Sequence, residues 1–270
     1  MPEPLKMVSV MAPGADPFYR SVARHLAGAL GRPVEFVAAP PWPERERMLY
    51  QGQADLGFVC GLGYVLQDRL FELLAAPVME GSRYGGRPVY FSEVVVRRDS
   101  PFRSFPELRG TVWAYNEPYS HSGYNVLRHH LARLGETEGF FARAVESGSH
   151  QRSLEMVLEG SVDSACIDTT VLEWWGARHP GWRQELRSLE VLGPSPMPPA
   201  VASRQLEAGL VQALRRALLE MGRSGPARAD LLRAGVRAFV PVADSDYDPI
   251  RFMARRAARV RLCPCEALAC

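Results

Sequence analysis

The residues best suited to chemistry in this chain are Ser120, His121, Ser122 and Gly123, followed by Tyr124. They stand between a strand-like run, Thr111–Tyr115, and a helix-like run that continues to Leu134. Two hydroxyls and a glycine therefore fall where a helix begins. The first N–H groups of a helix have no internal partner, and the helix dipole places partial positive charge there. Serine hydroxyls, and a glycine that lets an anion approach the backbone, complete an oxyanion cradle. The plainer reading is an ordinary N-cap, since Ser is a preferred capping residue. His150, at a second strand-to-helix turn, could donate through its ring or bond locally. Tyr90, in a strand, could offer its phenol or simply pack. Trp42 stands among prolines, where loop packing is the alternative to a ligand contact. Asp168, just before a helix, is either a cap or a ligand contact.

The elements that must position these residues alternate. Strands at Met7–Met11, Val34–Val37, Ala54–Cys60 and Leu70–Val78 are separated by helices at Asp16–Leu30, Glu44–Gln51 and Gly61–Gln67. A long strand, Pro88–Val96, follows, and the pattern restarts. Strands are expected at Thr111–Tyr115, near Phe140–Val145 and at Val162–Ile167, with helices from Ser122, at Gln151–Leu158 and at Thr169–Ala177. Leu189–Leu192 reads as a return crossing, and Ser203–Met221, Ala227–Arg233 and Tyr247–Val260 as helices. This order calls for mostly parallel sheets flanked by helices. Two such units joined by two crossings give a two-lobed α/β protein. Lobe 1 is expected at residues 1–91 plus 192–270 and lobe 2 at 92–191, hinged near Ser92–Glu93 and Leu189–Val191. The ligand cleft would lie between the lobes, at the carboxyl ends of strands.

Composition sets bounds. The 270 residues are 47% hydrophobic and 23% charged, with a net charge of +2 and Lys6 as the only lysine. No basic block interleaved with aromatics points to nucleic acid. No run approaches the roughly 20 apolar residues of a membrane span, so no membrane insertion is expected. The opening Met1–Lys6 lacks a basic n-region followed by an apolar h-region. A cytoplasmic chain and an exported chain shorn of its signal both stay open. Cys60 and Cys166 read as plain buried thiols. Cys263, Cys265 and Cys270 lack the spacing and the fourth ligand of a metal site. His129 and His130 read as solvated, and no cofactor is expected.

Several segments taken together resemble the substrate-binding proteins of phosphonate/phosphite/phosphate ABC transporters, which have a periplasmic-binding-protein-like (type II) fold. They are Arg87–Val96, Asp99–Phe102, Phe105–Gly110, Asn116–Tyr124, Ser147–His150 and Gly160–Asp168. Weaker echoes lie at Ala39–Trp42, Ala54–Phe58 and Tyr247–Arg251. The resemblance implies that Ser120, His121 and Ser122 hold phosphorus-bound oxygens and that His150 and Tyr90 donate to others. It also implies that Trp42 of the first lobe closes over the ligand. His121 stands where related receptors commonly carry Thr. Receptors for aminoalkyl phosphonates pair the ligand's ammonium with carboxylates, where this chain has Thr170 and the Met197–Pro199 loop. An amine-free phosphorus oxyanion is therefore expected, with a permease and ATPase as partners, an extracytoplasmic location and no turnover. A cytoplasmic enzyme, using Asp168 or His150 as acid or base, and an oxyanion-sensing module are the alternatives on the same fold.

Overall fold

The computed structural model describes residues 3–223 and 225–264. In chain order the elements are β1 (Leu5–Ser9), α1 (Asp16–Leu30), β2 (Val34–Phe36), α2 (Trp42–Tyr50), β3 (Leu56–Phe58), α3 (Gly61–Leu66), β4 (Phe71–Met79) and β5 (Val89–Arg97). Then come β6 (Val112–Tyr115), α4 (Val126–Arg133), β7 (Arg143–Glu146), α5 (His150–Glu159), β8 (Ser164–Asp168), α6 (Thr169–Gly176) and α7 (Trp182–Glu185). The chain ends with β9 (Leu186–Pro196), β10 (Ala200–Ser203), α8 (Ala208–Glu220), α9 (Gly225–Arg233), β11 (Val236–Val240) and α10 (Asp248–Ala257).

The chain divides into two compact units, Met1–Val89 with Pro196–Asp248, and Tyr90–Ser195 with Pro249–Cys270. The first holds a six-stranded sheet in the order β11-β4-β10-β3-β1-β2. β1 runs parallel to β2 and β3, whereas β10 is antiparallel to β3 and β4. Helix α1 shows why the local sequence folds as it does. Tyr19, Val22, Ala23 and Leu26 recur at helical spacing and are all buried, and Gly31, at φ 60°, ends the helix in the left-handed conformation. Strands β10 and β11 are absent from the sequence reading, which assigns nothing to Ala200–Ala202 or Val236–Val240 and begins a helix at Ser203. Both are short, at four and five residues. A short apolar run carries little periodicity to separate strand from helix.

The second unit holds a five-stranded sheet in the order β7-β6-β8-β5-β9. β6 is parallel to β7 and β8, and β5 returns antiparallel to β8. The sheet is buried on both faces, and alternation along each strand sorts the side chains. Val94, Val96, Trp113 and Cys166 pack with Leu127 and Leu131 of α4. Val95, Ala114, Ala165 and Ile167 pack with Leu154 of α5 and Leu172 of α6. Strands buried on both faces read as continuous hydrophobic runs, and that is why this half of the sequence is easily parsed.

The last helix belongs here, whereas sequence order alone assigns 249–270 to the first lobe. Val260 and Leu262 are buried in the same core as Trp113, with Met253 packed against it. The backbone closes the join, with Arg261 N–H donating to Thr137 O and Phe141 N–H to Leu262 O, each at 2.9 Å. Cys263 is buried; Cys265 and Cys270 lie outside the described residues. His129 is 8% exposed, and His130 packs edge-on against Phe105 at 4.6 Å, so neither is solvated.

Candidate functional site

The site builds outward from the carboxyl ends of β6, β7 and β8. Beyond β6, Ser120 adopts extended backbone, and its Oγ accepts the Gly123 N–H at 3.0 Å. The helix then opens wide: Asn125 N–H donates to Ser120 O at 3.0 Å, five residues back. This π turn, His121–Asn125, leads into α4. Such turns are rare and recur at functional sites. All five of its residues are buried. Capping and anion-binding are compatible roles for Ser120, because a hydroxyl that accepts from Gly123 keeps its own proton to donate.

The connection after β7 is tied to the one after β6. Ser147 N–H donates to Tyr115 O and Gly148 N–H to Asn116 O, both at 2.8 Å. Ser149 Oγ then accepts Arg152 N–H at 3.1 Å and caps α5, making His150 the first residue of that helix. His150 Nε2 lies 2.8 Å from Ser122 Oγ. Two helix N-termini therefore converge on one hydroxyl–imidazole pair. Gly123 makes the convergence possible: a Cβ there would sit 1.9 Å from Asn116 Oδ1 and 3.1 Å from His150 Cε1. Removing the Ser149 cap with Ser149→Ala is expected to cost about 1 kcal/mol of stability. Urea denaturation measures this, with ligand affinity falling modestly as His150 loosens.

Burial pushes the His150 imidazole down to about 4. At neutral pH it is therefore an uncharged hydrogen-bonding group. The Ser122–His150 pair has the separation of a nucleophile and its base, which the sequence does not reveal. An imidazole with so low an affinity for protons is a poor general base at pH 7, and no carboxylate among the described residues pairs with it.

His121 departs from its expected role. It is fully buried, with Nδ1 3.0 Å from the Asn125 amide nitrogen and Nε2 2.9 Å from Ser195 Oγ. The amide donates to Nδ1, so Nε2 carries the hydrogen and donates to Ser195. Burial, then the nearby His129, pushes this ring down to about 3. Both ring nitrogens are spent inside the protein, so any donor His121 offers an anion is its backbone N–H. Tyr90, near the start of β5, is 1% exposed and meets the His121 ring edge-on at 6.4 Å.

Asp168 closes β8 and caps α6. Its Oδ1 accepts Thr170 N–H and Thr170 Oγ–H, each at 2.7 Å. Burial raises it to about 6 against those bonds. Trp42 opens α2 in the first unit and is half-buried. The loop before it is held by Arg45, which donates to Pro40 O at 2.8 Å and Ala38 O at 2.6 Å and pairs with Asp16 at 2.9 Å. Trp42 as a ligand contact rests on the resemblance alone. Ser120, His121, Ser122, Gly123, His150 and Tyr90 share the second unit. Sequence reasoning left Asn116, Asn125 and Ser195 out of the site. Asn116 stood inside a segment carrying the resemblance, but its tight packing on Gly123 is a tertiary fact. Among the described residues no cluster of His, Cys, Asp or Glu is placed to hold a metal ion.

Two helix N-termini gathered at strand ends and presenting neutral donors are an arrangement suited to holding an anion. The fold is that of type II periplasmic binding proteins. PhnD1 from Prochlorococcus marinus, in complex with methylphosphonate, superposes with a TM-score of 0.83 at 18% identity, over 96% of this chain and 100% of that one. A binding-protein component of an ABC phosphonate transporter from Pseudomonas aeruginosa gives 0.81 at 18% identity, over 95% and 89%. The chain belongs to the family of periplasmic substrate-binding proteins of phosphonate ABC transporters, whose model matches residues 15–247. The phosphonates-binding periplasmic protein of Escherichia coli (strain K12) is 26% identical over 177 residues, 63% of this chain. The match spans about half of that relative, 51% of its length.

Proposed function

We propose that this chain is the substrate-binding component of an ABC-type uptake system and that it takes a small phosphorus oxyanion without an amine: a simple alkyl phosphonate, phosphite or phosphate. The observation that carries the reading is the Ser122–His150 pair, 2.8 Å apart where α4 and α5 begin. Ser120 donates its hydroxyl proton to the anion, and Ser122 does the same with the His150 hydrogen on Nε2, donated to Ser122 Oγ. First-turn N–H groups and two helix dipoles supply the positive potential. No cation is required, since a hydrogen bond to a charged group is worth roughly 1.5–3 kcal/mol. The protein binds the anion outside the cytoplasmic membrane and passes it to a permease driven by an ATPase. No helix of the described residues is long and apolar enough to cross a membrane itself.

The absence of an amine follows from how the acidic groups are used. A buried ammonium needs a carboxylate. Asp168 is committed to capping α6, and the Thr170 hydroxyl donates to it. The Met197–Pro199 segment carries no acid, and Met197 is held by backbone bonds to Pro88 and the Tyr247 hydroxyl. The relative recorded with methylphosphonate has an amine-free ligand. Calorimetry with methylphosphonate, phosphite, phosphate and 2-aminoethylphosphonate tests the reading. At least one amine-free anion is expected to bind about tenfold or more tighter than the aminated ligand, a gap of roughly 1.4 kcal/mol. Preference for 2-aminoethylphosphonate would overturn it.

A further inference from the structure

We propose that the outward face of α10, together with the end of α4, is a docking surface for an acidic protein segment. Phe252, Arg255, Arg256 and Arg259 recur at i, i+3, i+4 and i+7 along α10 and the turn after it, and all are exposed. They form one stripe. Arg133, also exposed, joins it through His129. The His129 ring meets Phe252 at 5.7 Å, and the charges of Arg256 and Arg133 both act on that imidazole, which burial and these charges hold below its usual value. The Arg256 guanidinium lies over the Phe252 ring, 5.7 Å from its centre.

Among the described residues none of these four arginines has a carboxylate within ion-pairing distance. Four other arginines of the same unit find one: Arg97 with Asp99, Arg109 with Glu136, Arg152 with Glu159 and Arg261 with Glu138. Among the described residues Arg98, Arg143, Arg178 and Arg183 do not, but they are not gathered on one helix face with a neighbouring helix end. On a chain of net charge +2, four cations without a carboxylate partner on one helix stripe and the adjoining helix end are a concentration of charge. Like charges four apart on a helix repel, and Phe252 is 49% exposed, as is Leu134, the residue after Arg133, at 48%. An anionic partner relieves the repulsion and covers the ring.

The partner is a protein rather than a lipid surface. The inner face of α10 is committed: Ile250 and Ala257 are fully buried and Met253 packs on the core. Beyond the single Phe252 ring the outward side of the helix is charged, and it lacks the continuous apolar face that an interfacial helix sinks into a bilayer. Arginine and aromatic side chains together are the composition of protein interface cores and hot spots. Charge complementarity sets the acidity of the segment.

The test uses a fluorescent peptide of repeated Glu-Glu-Leu-Asp, read by anisotropy at low and physiological salt. A second probe is phosphatidylcholine vesicles containing phosphatidylglycerol, read by sedimentation. The variant is Arg255→Glu with Arg256→Glu and Arg259→Glu. A control of equal charge change, Arg24→Glu with Arg216→Glu and Arg228→Glu, lies in the first unit. The protein is expected to bind the peptide, losing about tenfold between the two salts and about tenfold or more in the α10 variant, with the control near wild type. Phe252→Ala should weaken binding further at fixed charge. Equal loss in both charge-reversed proteins, or vesicle binding that α10 alone controls while peptide binding does not respond, overturns the proposal. Methylphosphonate calorimetry on the same variants should be unchanged, so the result is separable from the ligand assignment.

Discussion

Gly123→Ala is expected to abolish useful phosphonate binding while the protein still folds. The new methyl would meet Asn116 Oδ1 at 1.9 Å, far inside contact, and His150 Cε1 at 3.1 Å. Asn116 can move its side chain but not its backbone, whose carbonyl accepts the Gly148 N–H at 2.8 Å and thereby ties the turns after β6 and β7 together. Turning the Asn116 side chain still leaves the methyl against His150 Cε1, and relieving that contact draws His150 away from Ser122. Overpacking of this kind costs about 1–3 kcal/mol of stability. Affinity suffers more, because two charge-assisted donors are misplaced at once, and a loss of about 100-fold or greater follows from roughly 1.5–3 kcal/mol for each. Methylphosphonate calorimetry and urea unfolding read the two effects separately. Adding Asn116→Ala to the Gly123→Ala protein should return part of the stability by making room for the methyl. A Gly123→Ala protein with wild-type affinity would show that this convergence of turns does not hold the ligand.

The same residues show what a sequence discloses about a site and what it withholds. Ser120 and Ser149 announce helix starts because capping is local chemistry, settled within three residues. The double burial of the second unit's sheet is legible because Val94, Val95 and Val96 leave no polar face. Whether the first turn closes at four residues or five is not legible, since both spacings use the same side chains. The role of His121 is hidden for a different reason. Its partner Ser195 lies 74 residues away on β9, and only the fold brings them to 2.9 Å. The same holds for the Ser122–His150 pair, whose members come from separate strand–helix units. The final helix misleads because it follows first-unit elements in sequence while its apolar stripe fits the second unit's core. Local physics thus discloses where donors can stand, and tertiary packing decides which of them remain available.

The buried site also makes stability depend on pH in a way three substitutions can dissect. His121 is held at about 3 and His150 at about 4, both below the ordinary value near 6.5, and Asp168 at about 6, above its ordinary value near 3.9. For the histidines the stabilisation is fully present above the unfolded value and is lost as pH falls, because the unfolded chain takes up protons the native state refuses. For Asp168 the sign is opposite: the native state keeps a proton the unfolded chain has released, so its contribution is present at low pH and lost as pH rises through about 6. Between about pH 4.5 and 6 the unfolded chain therefore binds two histidine protons that the native state does not, and the native state one that the unfolded chain does not. The net of one proton makes these three groups add about 1.4 kcal/mol of stability per pH unit on going up. Glu46, raised by burial, and His129 and His130, lowered by burial, titrate as well, but they cancel when a variant is compared with wild type. Against wild type, His121→Asn and His150→Asn should each flatten the profile by about 1.4 kcal/mol per unit in that window, and Asp168→Asn should steepen it by a similar amount. Urea unfolding at stepped pH measures all three. Profiles that stay parallel to wild type would mean that these side chains exchange protons in the native state as freely as in water, and the neutral cradle proposed for the anion would have to be abandoned.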